Sequence, residues 1–174
     1  MNVEEATLDP VSEADFPLLR DLARSIWWQY YPSIISGEQI EYMLAGRFDD
    51  DALRERIRAP GTWLEVLRVA GEAVGYCGSE SSGLPWDETA SALKLGQLYL
   101  LESHRGRGLG GFMLRHVERR ARDLGKALVF LQVHKRNAAA IAFYRANGFS
   151  IAREAVFDIG AGFVMDDFVM EKRL

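Results

Sequence analysis

The residues best suited to do chemistry stand in one short turn, Glu102-Ser103-His104-Arg105-Gly106-Arg107-Gly108-Leu109-Gly110-Gly111. Glycines at 106, 108 and 110 let the backbone approach a ligand closely. The apolar run before the turn predicts a strand, and the pattern after it predicts a helix. Because the first amides of a helix are unpaired donors at the positive end of its dipole, they bind anions. We therefore expect this turn to hold a pyrophosphate.

Two arginines strengthen the prediction of an anion site. Arg105 and Arg107 alternate with the glycines and carry a fixed positive charge. Their guanidinium groups present several donors in a geometry that suits phosphate oxygens. An ordinary glycine turn is the structural alternative, but it would not require two arginines among three glycines.

The same turn also matches the pattern GxGxxG, so a dinucleotide-binding oxidoreductase has to be considered. That unit needs an acidic residue about 20 positions further on to hold the ribose. Here the next predicted strand ends Leu131-Gln132-Val133-His134, without an acid. No Gly-Lys-Ser or Gly-Lys-Thr follows the turn, which excludes a mononucleotide P-loop. The nicotinamide reading is therefore disfavoured.

The elements before residue 62 are predicted to be one short strand and three helices. The strand is expected over Val3–Leu8, and Ser12 is expected to cap the first helix. The segment Ser36–Gln39 has the spacing of a capping box and predicts the start of the second helix. Asp50 or Asp51 is expected to cap the third.

From residue 62 the pattern changes to strands. Trp63–Val69 and Ala73–Cys77 predict two strands joined by a hairpin turn. Ser81–Ser91 is polar and contains Gly and Pro, so we expect a loop, followed by a strand over Leu93–Leu101. Cys77 is expected to be a small core thiol rather than a nucleophile.

The second half is predicted to alternate helices and strands. A helix over Leu109–Leu124 should end at Gly125, and its apolar face is expected to comprise Met113, Val117, Ala121 and Leu124. The remaining elements are predicted as strand Ala127–Val133, helix Asn137–Ala146, and strands Phe149–Val156 and Phe163–Met170. This order predicts an α/β (α+β) fold with one mixed sheet of about seven strands and helices on both faces. We expect one domain over residues 1–174.

Composition and charge narrow the function classes. The 174 residues are 48% hydrophobic and 26% charged, as in globular proteins, and the net charge is −4. A pI of about 5.4 argues against binding nucleic acid through its phosphates. Cys77 is the single cysteine, and no metal-ligand spacing is present. The acidic start and the lack of a long apolar run predict a cytoplasmic protein with no membrane partner.

At this point the sequence resembles the GNAT superfamily of N-acetyltransferases. Arg105-Gly106-Arg107-Gly108-Leu109-Gly110 matches the signature Gln or Arg, two residues, Gly, one residue, Gly or Ala. A second motif of that family, an asparagine, a helix, Phe-Tyr and Gly-Phe, is matched by residues 137–149. The two motifs stand in the expected order and spacing, and the resemblance extends from about Trp63 to residue 174.

The resemblance implies acetyl-CoA as co-substrate, no metal, and a set of cofactor-binding residues. In the family the glycine loop wraps the CoA pyrophosphate, and backbone groups of Leu98 and Leu100 pair with the pantetheine arm. Asn137 would contact CoA with its side chain, and Tyr144 would face the sulfur. The implied cofactor-binding set is Leu98, Tyr99, Leu100, Arg105, Gly106, Arg107, Gly108, Leu109, Gly110, Asn137 and Tyr144.

The reaction that the resemblance implies needs a general base for the amine and a donor to the thioester oxygen. An alkyl amine with a pKa of about 10.4 is protonated at neutral pH, so a base must free its lone pair. Glu80, Glu102 and His134 are candidates because each stands near a predicted strand end. By the resemblance, the amide near Leu100 would stabilise negative charge on the thioester oxygen. The catalytic set is therefore Tyr144, Leu100 and Glu80, with apolar packing as the alternative role of Tyr144.

The acceptor is expected to be a small primary amine. Asp166-Asp167 and the aromatics near residues 27–31 would suit a polyamine, although such aromatics are as often core packing. Residues 34–40 and the closing segment also look similar to bacterial polyamine acetyltransferases. A peptide amine, or an acyl-CoA-binding sensor domain without turnover, is the alternative. The oligomeric state is expected to be a monomer or a homodimer.

Overall fold

A computed structural model describes residues 5–174 as an alternation of helices and strands. The elements are β1 (Ala6–Pro10), α1 (Phe16–Tyr30), α2 (Gly37–Phe48), α3 (Asp50–Arg58), β2 (Thr62–Val69), β3 (Glu72–Leu84), β4 (Asp87–Leu100), α4 (Leu109–Asp123), β5 (Leu128–His134), α5 (Ala138–Ala146), β6 (Ser150–Gly160) and β7 (Phe163–Arg173). Short 3₁₀ helices at Glu13–Asp15 and Glu102–His104 precede α1 and α4. The predicted α/β class is confirmed. The single domain over 1–174 stays a prediction.

The seven strands form one mixed sheet in the order β1-β2-β3-β4-β5-β7-β6. Strands β4 and β5 are parallel, whereas β1–β2, β2–β3, β5–β7 and β6–β7 are antiparallel. Strand β6 lies at one edge, and its register to β7 shifts between Ile151 and Arg153 and again between Asp158 and Gly160. The predicted mixed sheet is confirmed.

The chain divides into two compact units, of which the first comprises residues up to Glu80 together with Gln97–Val117. Its core contains fully buried side chains from helices and strands, namely Leu19, Ile26, Trp27, Ile40, Leu53, Leu67 and Tyr76. The indole N–H of Trp27 donates a 2.7 Å hydrogen bond to the Tyr76 hydroxyl, so the polar atoms of two buried aromatics are paired. Cys77 is fully buried, as expected of a core thiol.

The second unit comprises Ser81–Gly96 and Glu118–Leu174. Its apolar cluster is formed by Leu84, Ala92, Leu128, Phe130 and Val169, with Trp86 and Phe157 packed against it. Glu118 is buried and accepts a 2.6 Å hydrogen bond from Lys172. Over residues 5–174, the helices are too short or too polar to cross a membrane.

Side-chain caps explain where the early helices begin. Ser36 accepts from the Gln39 backbone N–H at 3.2 Å, which confirms the predicted start of α2. Ser12, expected to cap the first helix, instead stands before a 3₁₀ turn that leads into α1, and its N–H donates to the Asp15 carboxylate at 2.9 Å. The prediction that Asp50 or Asp51 caps α3 is wrong. Asp49 does so, because its backbone is extended and its carboxylate accepts from the N–H of Ala52 at 2.9 Å.

Two further predictions differ from the structure. Ser81–Ser91 is not a loop, because β3 extends to Leu84 and β4 begins at Asp87, and the polar residues of these strand ends face solvent. Leu124 is 44% exposed, since α4 ends at Asp123. Of the opening strand predicted over Val3–Leu8, Val3 and Glu4 lie outside the described residues.

Candidate functional site

The glycine turn has the backbone that its composition predicts. Gly106 has φ 72° and Gly108 has φ 80°, conformations that strain any residue with a Cβ atom. A Cβ atom added to Gly106 would meet no atom within 4 Å, so the backbone there is uncovered on that side. The first hydrogen bond inside α4 runs from the Phe112 N–H to the Gly108 carbonyl at 3.0 Å. The preceding amides of the first helical turn therefore have no acceptor within the helix.

The two arginines of the turn lie in the first unit and are exposed. The Arg105 guanidinium sits 4.5 Å from the ring centroid of Tyr30, a cation–π contact that limits where this charge can move. Leu109 is 3% exposed and anchors the start of α4 in the core. The turn thus combines a fixed helix start, open backbone and two cations, as an anionic ligand requires.

The end of β4 leads directly into this turn. The parallel ladder between β4 and β5 has four pairs, Ala92–Leu95 with Leu128–Leu131. Strand β4 continues past the last pair to Leu100, and the Leu101 N–H donates to the Val74 carbonyl of β3 at 2.9 Å. Leu98, Tyr99 and Leu100 are therefore placed on extended backbone immediately before the glycine turn.

Aromatic rings of the first unit pack against Tyr99 at this end of β4. Tyr99 stacks on Tyr76 with ring centroids 5.1 Å apart, and its ring lies 5.7 Å from that of Trp27. Trp27 and Tyr31 are buried, so of the two roles predicted for the early aromatics they take core packing. Trp28 is 41% exposed and donates to Glu41 at 2.8 Å instead. Burial raises the pKa of Tyr76 well above its usual value, which keeps its hydroxyl protonated.

Asn137 lies in the second unit, at the N-terminus of α5. Its side-chain oxygen accepts from the Ala140 N–H at 3.2 Å, which caps the helix. The residue is 8% exposed. Asn137 therefore has a structural role that the motif alone did not predict, and its contact with CoA stays a prediction.

Tyr144 lies on α5 of the same unit and is 9% exposed. Its ring packs edge-on against Phe143 at 5.2 Å and against Phe149 at 5.7 Å. The Phe149 N–H donates to the Tyr144 carbonyl at 3.0 Å, which fixes the backbone after the helix. The ring thus packs, as the structural alternative required, while the role of the hydroxyl stays a prediction.

The three base candidates have different surroundings. Glu80 is half-buried on β3, opposite Thr62 of β2. Glu102 is exposed on the 3₁₀ helix before the glycine turn. Exclusion of bulk water strengthens the electrostatic interactions of a group inside a site. Of these two acids, Glu80 is the better shielded.

His134 ends β5 in the second unit. Burial, helped by the charge of Arg136, lowers the pKa of His134 below its usual value, so its ring is neutral at neutral pH. Its Nδ1 atom accepts from the Arg136 N–H at 3.1 Å, which places the ring proton on Nε2. A neutral ring with its lone pair already engaged is poorly placed to take a proton, so His134 is the weaker candidate.

The two acids that motivated a polyamine acceptor lie in the second unit. Lys135 contacts Asp166 at 2.6 Å and Glu154 at 2.9 Å, so one cation is shared by two carboxylates and the charge of Asp166 is partly neutralised. Asp167 is 5% exposed. These acids therefore present less open negative charge to a cationic substrate than the sequence pattern implies.

A half-buried polar contact in the first unit was not predicted from the sequence. Arg56 of α3 donates from Nη2 to the side-chain oxygen of Gln97 on β4 at 2.7 Å. A Cβ atom on Gly78 of β3 would stand 2.6 Å from that Nη2 atom, so glycine is what makes the contact possible. A glycine inside an apolar strand was the available signal, because it often marks such a close approach.

Within residues 5–174 there is no group of three or more His, Cys, Asp or Glu side chains arranged to hold a metal ion.

A known protein family matches most of the chain. The profile described as the acetyltransferase (GNAT) family matches residues 20–149. This range includes both motifs, the glycine turn after β4 and the segment of α5.

Known relatives and solved structures extend over nearly the whole length. An uncharacterized N-acetyltransferase in the pepI 3' region of Lactobacillus delbrueckii subsp. lactis is 28% identical over 165 residues, covering 94% of this chain and 95% of that protein. The PaiA N-acetyltransferase of Thermoplasma acidophilum, in complex with coenzyme A, superposes with a TM-score of 0.79 at 22% identity, covering 97% and 99% of the two chains. Arabidopsis thaliana Naa50, in complex with the bisubstrate analogue CoA-Ac-MVNAL, has a TM-score of 0.69 at 20% identity and covers 98% and 99%.

Proposed function

Because the chain belongs to the acetyltransferase (GNAT) family and transfers an acetyl group from acetyl-CoA to an amine, we propose that its acceptor is a small-molecule primary amine that attacks the thioester directly. The observation that supports the acetyl-CoA half of the reaction is the glycine turn. Two left-handed glycines, an open backbone and two arginines stand at the start of α4, immediately after the extended residues of β4.

The residues present fit the bound co-substrate. The first-turn amides of α4 and the charges of Arg105 and Arg107 suit a pyrophosphate, because both supply positive potential at fixed positions. The backbone of Leu98 and Leu100, beyond the four-pair ladder to β5, supports pairing with an extended pantetheine amide. Acetyl-CoA supplies the acetyl group as an activated thioester. In this proposal Asn137 adds a side-chain contact to the same molecule.

Three groups of the chain would share the chemical work. Glu80 takes a proton from the ammonium, so that the amine lone pair can form the new N–C bond. The Leu100 N–H donates to the thioester oxygen as negative charge develops there. Tyr144 gives its hydroxyl proton to the sulfur as the C–S bond breaks, and the second proton that the nitrogen loses restores the hydroxyl through solvent. Glu80 releases its proton to solvent, so one proton leaves in each turnover. The products are the N-acetyl amine and free CoA.

Two classes of acceptor have to be compared, a polyamine and a peptide amine. The sequence pattern suggests a polyamine, but Lys135 partly neutralises Asp166, which weakens that argument. A peptide amine is the second candidate, and Naa50 is a structural neighbour whose bound analogue carries a peptide. A panel of acceptors must therefore contain polyamines, amino acids and short peptides.

A thiol-release assay over that panel tests the proposal. We expect acetyl-CoA-dependent release of CoA with at least one free small amine, and mass spectrometry should find the product heavier by one acetyl group. Turnover with peptides alone would replace the small-amine acceptor by a peptide amine. Tight binding of acetyl-CoA without turnover on any amine would instead identify a sensor domain.

A further inference from the structure

Arg56 is a cation that the chemistry above does not use. It lies on α3 with its guanidinium against β3 and β4, where it contacts Gln97 and the backbone of Gly78. Among the described residues 5–174, no carboxylate lies within ion-pair distance of it, whereas Arg54 and Arg58 of the same helix both pair with Glu13. Arg56 therefore differs from Arg54 and Arg58 in its pairing.

Gln97 and Gly78 both shape the contact that Arg56 makes. Gln97 is 3% exposed and holds Arg56 through its oxygen, while its Nε2 atom is buried without a hydrogen-bond partner in the described part of the chain. A buried amide nitrogen without a partner costs free energy, of the order of 1–3 kcal/mol. Gly78 keeps clear the space in which the guanidinium and the amide meet.

Nearby negative charge offsets the positive charge of Arg56 only in part. Burial and the nearby charge of Arg47 lower the pKa of Arg56, and Glu80 offsets this in part. The guanidinium nevertheless stays charged, because arginine does not lose its proton in proteins. A buried charge without a full counter-ion is unfavourable, and an arriving anion would relieve it.

The position of this charge connects it to the proposed reaction. Gln97 immediately precedes Leu98–Leu100, the backbone expected to hold the pantetheine arm. Gly78 and Glu80 are two residues apart on β3, so they share one face of the sheet. The guanidinium, which has no ion-pair partner in the described part of the chain, is thus hydrogen-bonded to β4 beside the backbone expected to hold the pantetheine arm, and it interacts electrostatically with the proposed base.

We propose that the acceptor amine also carries a carboxylate, as an amino acid does, and that Arg56 binds this carboxylate. The inference rests on the proposed acetyl transfer and names the class of its acceptor. The carboxylate takes no part in bond making, and only the amine nitrogen is acetylated. Arginine suits the task because its planar donors match both oxygens of a carboxylate.

Matched pairs of acceptors test the proposal on the wild-type chain. Each pair consists of an amino acid and the amine that remains when its carboxylate is removed, such as phenylalanine with phenethylamine and lysine with cadaverine. We expect kcat/KM to be about 10- to 150-fold higher for the amino acid, the range of a hydrogen bond to a charged group. Equal or better turnover of the decarboxylated amines overturns the proposal.

Variants assign the effect to Arg56. Arg56→Gln should lower kcat/KM for the amino acid by about 10- to 150-fold, mainly through KM, and leave the decarboxylated amine unchanged. Arg58→Gln is the matched control, since Arg58 lies on the same helix but is exposed and pairs with Glu13. Equal losses with both acceptors would show that Arg56 only supports the fold, which also overturns the proposal.

A second variant covers the case in which Arg56→Gln does not fold. Gly78→Ala leaves the arginine in the chain but puts a methyl group where its Nη2 atom stands. It should lower selectivity for the amino acid within each pair. If the wild-type chain acetylates no amine at all, the proposed function fails, whereas turnover limited to amines without a carboxylate contradicts this inference alone.

Discussion

The hydroxyl groups of Tyr31 and Tyr99 lie 2.7 Å apart and share a hydrogen bond. Tyr31 caps the C-terminus of α1, and Tyr99 stands between Leu98 and Leu100 near the end of β4. Burial raises the pKa of Tyr31 well above its usual value, so this hydroxyl stays protonated in the physiological range. The contact therefore ties helix α1 to the strand that is expected to hold the pantetheine arm.

A double-mutant cycle should detect the hydrogen bond between Tyr31 and Tyr99. Tyr31→Phe and Tyr99→Phe each remove one partner, and together they remove both, so their effects on the free energy of unfolding should not add. We expect a coupling of about 0.5–1.5 kcal/mol, the net value of a typical hydrogen bond. Urea unfolding of the four proteins measures it. Additive losses would mean that the two hydroxyls act independently.

The glycine turn should be separable from folding. Gly106→Ala and Gly71→Ala place the same methyl group at φ 72° and φ 84°, each in open space. Both should lose a similar amount of stability, about 1–2 kcal/mol for a left-handed alanine. We expect only Gly106→Ala to weaken acetyl-CoA binding, by about tenfold or more, because its methyl group stands where a phosphate would approach. Calorimetric titration of both variants decides, and equal affinities would contradict a phosphate site at this turn.

The hydroxyl of Tyr144 should matter to turnover and not to packing. Tyr144→Phe keeps the ring that contacts Phe143 and Phe149, so the thermal midpoint and the Kd for acetyl-CoA should change little. Loss of a general acid should lower kcat by about 10²–10⁴-fold. Steady-state kinetics with chemistry shown to be rate-limiting provide the check. A kcat within a few-fold of the parent would assign Tyr144 to packing.

Glu80 should be required for turnover at neutral pH. Glu80→Gln keeps the shape of the side chain but cannot accept a proton, so kcat/KM for the amine should fall by about 10²–10⁴-fold. Glu72→Gln provides the matched control, because Glu72 stands on the same strand and is exposed. Affinity for acetyl-CoA should be unchanged in both variants. Equal activity of the two variants would remove Glu80 as the base.

His134 should make the protein less stable in mild acid. Its pKa is lower in the folded chain than the ordinary value of 6.5, so the unfolded chain binds a proton more readily. The free energy of unfolding should therefore fall as the pH drops below 6.5, until the folded chain is protonated as well. His134→Gln should flatten this dependence, measured by urea unfolding at several pH values. An unchanged slope would mean that other groups dominate.

Local signals predicted most of the fold. Ser36 and Gln39 marked the start of α2, and Gly71 marked the hairpin between β2 and β3, because caps and tight turns need only neighbouring residues. The glycine turn was recognised for the same reason. Its left-handed glycines are a local backbone requirement that the residue types reveal directly.

Features that depend on distant partners were missed. Leu84 and Ala92 are buried in one apolar cluster, which makes their polar neighbours part of two long strands rather than a loop. The contact of Arg56 with Gln97 joins residues 41 positions apart, so no short pattern contains it. The cap at Asp49 is local but was missed for another reason, since three consecutive aspartates compete for it and the backbone conformation decides among them.

The shifted register of β6 bears on how the protein behaves at high concentration. An edge strand offers unpaired backbone groups to any other strand, which is a route to aggregation. In β6 the two shifts interrupt the regular spacing of those groups, and Arg153, Glu154 and Asp158 expose charges along the strand. A strand of another chain could not pair regularly with this irregular, charged edge. Extension of the sheet by a second molecule is therefore disfavoured, even though Val156 is 63% exposed.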